Sequence, residues 1–238
     1  MPNPAPKGTL QIIATPIGNM DDITLRALAA LKSCDVIAAE DTRHTRHLLV
    51  HHQINKPLLS CHGFNEASRV SHVLVRLNRG ERVALVSDAG TPCISDPGSR
   101  IIRAVIDAGH KVEVLPGACA LIAALAGSGL SCDEFHFVGF LPRKSGSRQN
   151  ALRKLSGLSG TVITYESPYR VCGLLADIAA LWPDAQVVVA RELTKKFEEF
   201  WRGTASELAA RSLKQKILGE FVVLFQPETA CTKSTTSL

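Results

Sequence analysis

The sequence lacks several patterns that would assign it to a familiar class of protein. No stretch approaches the roughly 18 consecutive apolar residues that a membrane-spanning helix needs. The N-terminal segment 1–7 has no apolar core like that of a secretory signal peptide. None of the seven cysteines forms a C-x-x-C pair, which argues against zinc ribbons and dithiol redox sites. We therefore expect a cytoplasmic protein with reduced cysteines, no metal site and no membrane association.

Two common nucleotide-binding fingerprints are also missing. The first predicted strand is not followed by G-x-G-x-x-G, and the chain contains no G-x-x-x-x-G-K-[ST]. The segment beginning Gly127-Ser-Gly129 fails the first pattern because Cys132 stands where the last glycine belongs. An ordinary Rossmann site for a dinucleotide or for a methyl donor is therefore disfavoured, and so is a P-loop.

The composition is that of a globular protein with a mild excess of positive charge. The 238 residues are 45% hydrophobic and carry a formal net charge of +5. This length suffices for one large domain or for two domains of modest size. The basicity is compatible with a nucleic-acid partner but does not decide the question, since many ordinary proteins are as basic.

Short β-branched runs alternate with helical patterns, which predicts parallel α/β architecture. The segment 116–129 is rich in small residues, and the alternation restarts after it. We therefore predict two α/β domains, residues 8–116 and 117–228, with a ligand cleft between them and disordered tails at 1–7 and 229–238. Predicted strands are 9–15, 36–39, 83–87, 112–115, 135–138, 161–165, 187–191 and 221–225, with 197–203 as an additional strand of an antiparallel ribbon. Predicted helices are 24–32, 42–51, 99–108, 121–126, 147–155, 170–181 and 205–213.

Three loops at predicted strand ends are candidates for ligand binding, because ligands of open α/β sheets bind at the carboxyl ends of strands. The loop 14–22 has a tight turn at Pro16 and Gly18, and its two aspartates could equally cap the next helix. The loop 87–98 contains two glycines and two prolines, more turn chemistry than a simple connection requires. The small residues of 116–120 allow a backbone to approach closely, but this signal is weak.

Charged residues cluster after two other predicted strands and in one loop. For Glu40, Asp41, Arg43 and His44 a function and a solvated helix start remain equally open, whereas Arg46 is better explained as solvated. A second cluster spans 191–196. The loop 140–148 is basic, and contact with phosphate is a natural role for three of its residues, Arg143, Lys144 and Arg148.

Several of these segments together carry a family resemblance. They are ATPIGN at 14–19, AAEDTRHTR at 38–46, SDAGTP at 87–92, SDPG at 95–98, PGACA at 116–120, GFLPRKSG at 139–146, YESPYR at 165–170 and ARELTKKFEE at 190–199. In this order they closely resemble the bacterial 16S ribosomal RNA cytidine-2′-O-methyltransferases. That family belongs to the tetrapyrrole methylase-like superfamily, the class III methyltransferases.

The resemblance implies an S-adenosyl-L-methionine-dependent enzyme that is a homodimer and modifies 16S rRNA in the small ribosomal subunit. It implies that backbone groups of the strand-end loops hold the cofactor between two α/β domains. The PGACA segment departs from the usual family pattern, since Ala118 and Cys119 stand where Pro and Ser are common. Carried over by position, the implied cofactor-binding residues are Pro16, Asp88, Ala89, Gly90, Thr91, Ile94, Cys119, Ala120, Glu166 and Leu193.

Methyl transfer to a ribose hydroxyl requires an oxygen nucleophile in line with the methyl group and benefits from a base. Candidate bases are Glu40, Asp41 and His44, with Arg43 or Lys195 as electrostatic support. A tetrapyrrole methyltransferase of the same fold is the nearest alternative, although such relatives usually have G-x-G-P-G-D where this chain has Thr15-Pro-Ile-Gly-Asn19. A non-catalytic RNA- or nucleotide-binding module is the third possibility.

Overall fold

A computed structural model describes residues 7–214 and 217–227. The chain divides into two compact units, the first ending at Cys119 and the second beginning at Ala120. This division falls three residues beyond the predicted boundary at 116/117. The tails predicted at 1–7 and 229–238 lie outside the described residues, except Lys7, whose Nζ donates to the Gly109 carbonyl at 3.0 Å.

The first unit is built on one sheet whose paired strands are all parallel, as predicted. Its strand order is β3-β2-β4-β1-β5. The strands are β1 (Thr9–Ile13), β2 (Val36–Ala39), β3 (Leu58–Ser60), β4 (Arg82–Val86) and β5 (Lys111–Leu115). The helices are α1 (Leu25–Ser33), α2 (Thr42–His51), α3 (Glu66–Asn78) and α4 (Ser99–Asp107), and a 3₁₀ turn spans Met20–Asp22.

Both faces of this sheet are covered by apolar helix surfaces. Ile13 and Ile37 pack with Leu31 of α1 on one side, and Leu10 and Leu85 belong to the cluster on the other side. A parallel strand buried on both faces needs a continuous apolar run, which explains the Val-, Ile- and Ala-rich composition of β2 and β4.

Local capping sets the starts of the first helices. The Asp41 carboxylate accepts from the Arg43 amide at 2.8 Å, so α2 begins at the predicted Thr42. Thr24 caps α1, and Asn19 caps the 3₁₀ turn. The expectation that Asp21 or Asp22 caps the following helix is therefore wrong.

Two elements of the first unit were not predicted from the sequence. Strand β3 has only three residues and is too short for its periodicity to be recognised. Helix α3 has 13 residues, but only Val73 and Leu77 among its apolar side chains are buried. The remaining apolar residues of α3 are interspersed with Ser, Arg and His, which obscured the helical period.

The second unit contains a mixed sheet rather than a parallel one. Its strand order is β6-β7-β10-β8-β9, and only the β6–β7 pair is parallel. The predicted antiparallel ribbon at 197–203 is confirmed as the β8–β9 pair. The strands are β6 (Phe135–Phe140), β7 (Thr161–Glu166), β8 (Gln186–Arg191), β9 (Glu199–Thr204) and β10 (Phe221–Phe225). The helices are α5 (Ala120–Ser128), α6 (Ser145–Arg153), α7 (Val171–Leu181) and α8 (Ala205–Ser212).

The core of the second unit forms between this sheet and helices α6, α7 and α8. Trp201 and Phe225 are its largest fully buried side chains. Strand β10 lies in the middle of the sheet and is buried along its whole length. Within the described ranges, no helix has both the length and the apolar character required to span a lipid bilayer.

One buried carboxylate connects helix α3 to the start of helix α4. Glu66 is 6% exposed, and its Oε1 accepts from the amides of Gly98 at 3.1 Å and Arg100 at 2.8 Å. These amides belong to the unsatisfied first turn of α4, which the negative charge also stabilises through the helix dipole. Glu66 thereby fixes the end of the loop 87–98.

We expect Glu66→Ala to lower the free energy of unfolding by about 2–3 kcal/mol, because the amides of Gly98, Arg100 and Ile101 lose their acceptor. Glu66→Gln retains an acceptor oxygen and should cost less than half as much. Urea unfolding followed by circular dichroism measures both variants. Equal losses for the two substitutions would contradict this role of Glu66.

Candidate active site

The carboxyl ends of the parallel strands in the first unit bring the predicted ligand loops to one edge of the sheet. Each of four strands is followed by one of these loops: 14–19 follows β1, 40–41 follows β2, 87–98 follows β4 and 116–119 follows β5. Because these four strands are neighbours in the sheet, loops far apart in sequence become adjacent. This is the position at which open α/β sheets bind ligands.

The loops after β1 and β4 are joined by backbone hydrogen bonds. The Thr15 amide donates to the Gly90 carbonyl at 2.9 Å, and the Gly90 amide donates back to the Thr15 carbonyl at 3.0 Å. The buried Thr15 hydroxyl also donates to the Ser87 carbonyl at 3.2 Å. These contacts hold the backbone of both loops in one fixed arrangement.

Small residues are required where these loops meet the segment after β5. Gly90 has a φ of +77°, and a Cβ there would lie 3.2 Å from Ile17 Cγ2 and 3.6 Å from the Ala118 carbonyl oxygen. The Thr91 hydroxyl donates to that same carbonyl at 3.1 Å. The structure thus connects the three loops that the sequence predicted as candidates.

The loop after β4 contains two residues in a strained backbone conformation. Cys93 and Ser95 have φ values of +72° and +67°, a region that residues with a Cβ rarely occupy. Such strain persists only where the surrounding structure enforces it, and it concentrates at functional sites. The caps that Glu66 provides and the Cys93 thiol contact to the Pro97 carbonyl supply that enforcement.

Carboxylates gather where β2 and β4 end. The Asp88 carboxylate accepts from the Asp41 amide at 2.9 Å, and the Asp88 amide donates to the Glu40 carboxylate at 3.4 Å. Asp96, which the sequence prediction did not include, lies close enough to Glu40 and Asp88 for their charges to affect it. Its position in the SDPG segment was the only sequence signal for this role.

The pKa values of two of these carboxyls are raised. Burial is the main cause of the rise in the pKa of Asp96 to about 6, and the charges of Glu40 and Asp88 add to it. Burial likewise raises the pKa of Glu40, and the charge of Asp88 contributes. Across the described part of the chain, no group of three or more His, Cys, Asp or Glu side chains is arranged to bind a metal ion. The carboxylates of Glu40, Asp88 and Asp96 thus lie near one another at this edge of the sheet.

The other predicted catalytic residues near β2 have different surroundings. Asp41 forms an ion pair with Arg43, Oδ2 to the guanidinium at 2.7 Å, and hydrogen bonds from Arg43 hold the pKa of this carboxyl well below its usual range. The Arg43 side chain is 88% exposed. His44 and Arg46 are exposed on α2, and a solvated Arg46 is what the sequence favoured.

In the second unit, one sheet edge brings together Glu166, the segment after Arg191 and the start of β10. Strand β10 is antiparallel to both β7 and β8, so Phe221 pairs with Glu166 on one side and with Arg191 on the other. The Glu166 side chain is completely buried, and its Oε1 accepts from the Ser167 amide at 2.8 Å. The cofactor contact implied for this residue would therefore have to come from its backbone.

Leu193 lies between two residues with positive φ. Glu192 and Thr194 have φ values of +50° and +65°. The Thr194 amide donates to Glu198 at 2.5 Å, and the Glu192 amide donates to the Glu220 carbonyl at 3.0 Å. Backbone strain is therefore found in loops of both units that the resemblance assigned to the cofactor.

Lys195 is held by carboxylates in its own unit. Its Nζ lies 3.0 Å from Glu192 Oε1 and 2.8 Å from Glu220 Oε2. Burial opposes the charged form, but the hydrogen bonds to Glu220 and Glu192 outweigh it and raise the pKa of Lys195. Lys195 is thus paired twice within its own unit, and its support of a reacting oxygen stays a prediction.

The basic segment 140–148 contains both exposed and buried residues. Arg143 and Lys144 are exposed, as phosphate contact requires. Arg148 is only 5% exposed, and its guanidinium forms an ion pair with Asp177 at 2.6 Å. The prediction that Arg148 contacts phosphate is therefore wrong, because its charge is already paired inside the second unit.

The remaining residues assigned from the resemblance are accessible to different degrees. Ala89 and Ile94 are exposed, whereas Pro16, Cys119 and Ala120 are half-buried. Ala89 directly precedes Gly90 of the Thr15–Gly90 bridge.

We expect Asp96→Asn to raise the free energy of unfolding at pH 7 by about 1–2 kcal/mol. The folded-state pKa of about 6 exceeds the ordinary value of 3.8, so the folded state binds more protons between these pH values. Protonated Asp96 therefore stabilises the folded state at pH 4, and this contribution is lost as the pH rises through 6. Urea unfolding at pH 4 and pH 7 measures the effect, with the exposed Asp107→Asn as control. An equal effect of Asp96→Asn at both pH values would contradict this assignment.

Known proteins of one enzyme family resemble most of this chain. The family model of Tetrapyrrole (Corrin/Porphyrin) Methylases matches residues 9–209. A ribosomal RNA small subunit methyltransferase I from Micromonospora olivasterospora is 48% identical over 92% of this chain and 71% of that protein. The enzyme of the same name from Synechocystis sp. is 46% identical over 93% of this chain and 80% of that protein.

A solved structure shares the fold at lower sequence identity. Uroporphyrin-III C-methyl transferase from Thermus thermophilus, complexed with S-adenyl homocysteine, matches with a TM-score of 0.64 and 18% identity. The match covers 91% of this chain and 97% of that structure. From the family model and the two curated relatives, we conclude that this chain belongs to the ribosomal RNA small subunit methyltransferase I family of the tetrapyrrole methylases.

Proposed function

We propose that the protein transfers a methyl group from S-adenosyl-L-methionine to the 2′-hydroxyl of a cytidine in 16S rRNA. Family membership supports the methyltransferase class and a ribosomal RNA substrate. The structural observation that carries the proposal is the cluster of the Glu40, Asp88 and Asp96 carboxylates beside a rigid, small-residue backbone edge.

This charge distinguishes between classes of cofactor. A dinucleotide or nucleoside triphosphate brings several negative charges, which would be repelled by carboxylates whose pKa values are already raised. A sulfonium cofactor brings positive charge and a small neutral nucleoside, so the same carboxylates attract it. When bound, S-adenosyl-L-methionine supplies an electrophilic methyl group.

The proposed cofactor contacts come mainly from backbone groups. A backbone contact at Cys119 is compatible with the departure of PGACA from the family pattern, since it does not need a hydroxyl. Gly90 fits such a contact because no Cβ covers its peptide groups. In the first unit the proposed residues are Pro16, Asp88, Ala89, Gly90, Thr91, Ile94 and Cys119, and in the second unit Ala120, Glu166 and Leu193.

Among the candidate bases, Glu40 fits best. Burial raises the pKa of its carboxyl, which makes it a better proton acceptor, whereas the pairing of Asp41 with Arg43 lowers the pKa of Asp41. Glu40 accepts the proton of the ribose hydroxyl in our proposal, and the Asp88 amide orients its carboxylate. Arg43 and His44 lie on the adjoining helix start, where their exposed side chains can contact RNA.

Arg143 and Lys144 supply the proposed contacts to RNA phosphates. Both side chains are exposed, and neither forms an ion pair within residues 7–214 and 217–227. The resemblance adds a homodimer acting in the cytoplasm to the proposal. Light scattering coupled to size-exclusion chromatography measures the oligomeric state directly.

The proposed function predicts that small ribosomal subunits lacking the modification accept labelled methyl groups from S-adenosyl-L-methionine. Mapping should place the label on the 2′-oxygen of one cytidine. Label transferred to a tetrapyrrole precursor but not to RNA would assign the chain to the alternative methyltransferase class. RNA retention without methyl transfer, and without heat on titration with S-adenosylhomocysteine, would indicate a non-catalytic RNA-binding module.

We expect Glu40→Gln to reduce the single-turnover methylation rate about 100-fold, because the substitution removes the base but retains an acceptor oxygen for the Asp88 amide. The Kd of S-adenosylhomocysteine should change less than threefold, since its contacts remain. Glu81→Gln, at the opposite edge of the same sheet, is the control. A near-normal rate for Glu40→Gln would remove Glu40 as the base.

A further inference from the structure

The loop that presents Arg143 and Lys144 is held at two backbone carbonyls by two arginines. The Arg170 guanidinium donates to the Leu141 carbonyl at 2.6 Å, and the Arg148 guanidinium donates to the Arg143 carbonyl at 3.3 Å. Leu141 is buried, whereas the next three residues are exposed. We refer to residues 141–144 as the basic loop.

Each of these arginines is supported by a carboxylate on a different element. Arg170 pairs with Glu166 of β7 at 3.1 Å, and this carboxylate is completely buried. Arg148 pairs with Asp177 of α7 through both Nε and a terminal nitrogen, each at 2.6 Å. Two separate buried carboxylates therefore fix the orientation of two guanidiniums that reach the basic loop.

Both oxygens of the Asp177 carboxylate accept hydrogen bonds from protein groups. Its Oδ1 accepts from the Ser145 hydroxyl and from the Gln149 side-chain amide, both at 2.8 Å. Burial opposes its ionisation, but hydrogen bonds from Gln149, Ser145 and Arg148 outweigh this and lower the pKa of Asp177. The first turns of α6, which directly follow the basic loop, are thereby tied to α7.

A simple connection between β6 and α6 does not require so many contacts to hold it in place. A surface loop of four residues tolerates motion at little cost, yet this one is held by two arginines that form ion pairs with buried carboxylates. A fixed loop loses less conformational entropy when its side chains bind a polyanion, which strengthens binding without adding a contact.

We propose that Arg148 and Arg170 are positioning residues for substrate RNA, which hold the basic loop so that Arg143 and Lys144 meet phosphates in a preset geometry. This inference rests on the proposed function, because it assumes that the basic loop contacts the RNA of the small subunit. It assigns to Arg148 an indirect role in place of the direct contact expected from the sequence.

The test uses conservative substitutions that keep the buried charge. In Arg170→Lys and Arg148→Lys an ammonium can still pair with Glu166 or Asp177, but it cannot also reach the loop carbonyl with the same fork of donors. Arg153→Lys is the matched control, since Arg153 is exposed on α6 and its guanidinium donates to the neighbouring Asn150 and Gln149 of the same helix. Thermal unfolding and the Kd of S-adenosylhomocysteine report whether each variant is folded.

We expect each anchor variant to raise the KM for undermethylated small subunits about tenfold while the Kd of S-adenosylhomocysteine stays within twofold. In an Arg143→Ala/Lys144→Ala background the same substitutions should have no further effect on KM, because the side chains they position are gone. Hydrogen exchange in the free protein should be faster at amides 143–148 in both anchor variants and unchanged in Arg153→Lys.

Three results would overturn the inference. One is an unchanged KM in both anchor variants, and another is an equal rise in KM with and without Arg143 and Lys144. The third is unchanged hydrogen exchange at amides 143–148, which does not depend on activity. If the wild-type protein transfers no methyl group to small subunits, the proposed function fails and takes this inference with it. Wild-type transfer combined with any of the three results would refute the inference alone.

Discussion

The pair of backbone hydrogen bonds between Thr15 and Gly90 is the constraint on which the candidate site of the first unit depends. It joins the segments that leave β1 and β4, two neighbouring strands that are about 70 residues apart in the chain. Because the contact uses only backbone groups, it leaves peptide surfaces rather than side chains at the edge of the sheet. A ligand held there is recognised mainly by shape and by the few charged side chains nearby, which are Glu40, Asp88 and Asp96.

The candidate binding residues of the two units carry opposite charges. The first unit offers the clustered carboxylates of Glu40, Asp88 and Asp96, whose negative charge favours a cationic ligand. The second unit offers Arg143 and Lys144, which favour a polyanion. The first unit orders its loops through the Thr15–Gly90 backbone bridge and the caps from Glu66, and the second orders its basic loop through arginine–carboxylate pairs. This division suits an enzyme that must bind a sulfonium compound and a nucleic acid in one cycle.

The sequence predicted well what local interactions determine. Helix α2 begins and ends as predicted, because Asp41 caps its first turn from within the segment itself. The sequence failed where the deciding partner is distant. The antiparallel order of the second sheet depends on β10 inserting between β7 and β8, which no local pattern specifies. In the sequence Arg148 could not be told apart from the exposed basic residues before it. The carboxylate that pairs with it, that of Asp177, lies 29 residues further along the chain. Of the candidate site, the loops were predicted, but Asp96 and the pairing of Lys195 could be found only in three dimensions.

Glu66 has a consequence for how the first unit moves. Its side chain belongs to α3, yet its acceptor oxygen completes the first turn of α4 and the end of the loop 87–98. Local opening of that loop must therefore break contacts of a helix whose buried residues, Val73 and Leu77, lie in the apolar core. Loop and helix form one cooperative unit of native-state fluctuation, so the loop opens only as rarely as this part of the core does.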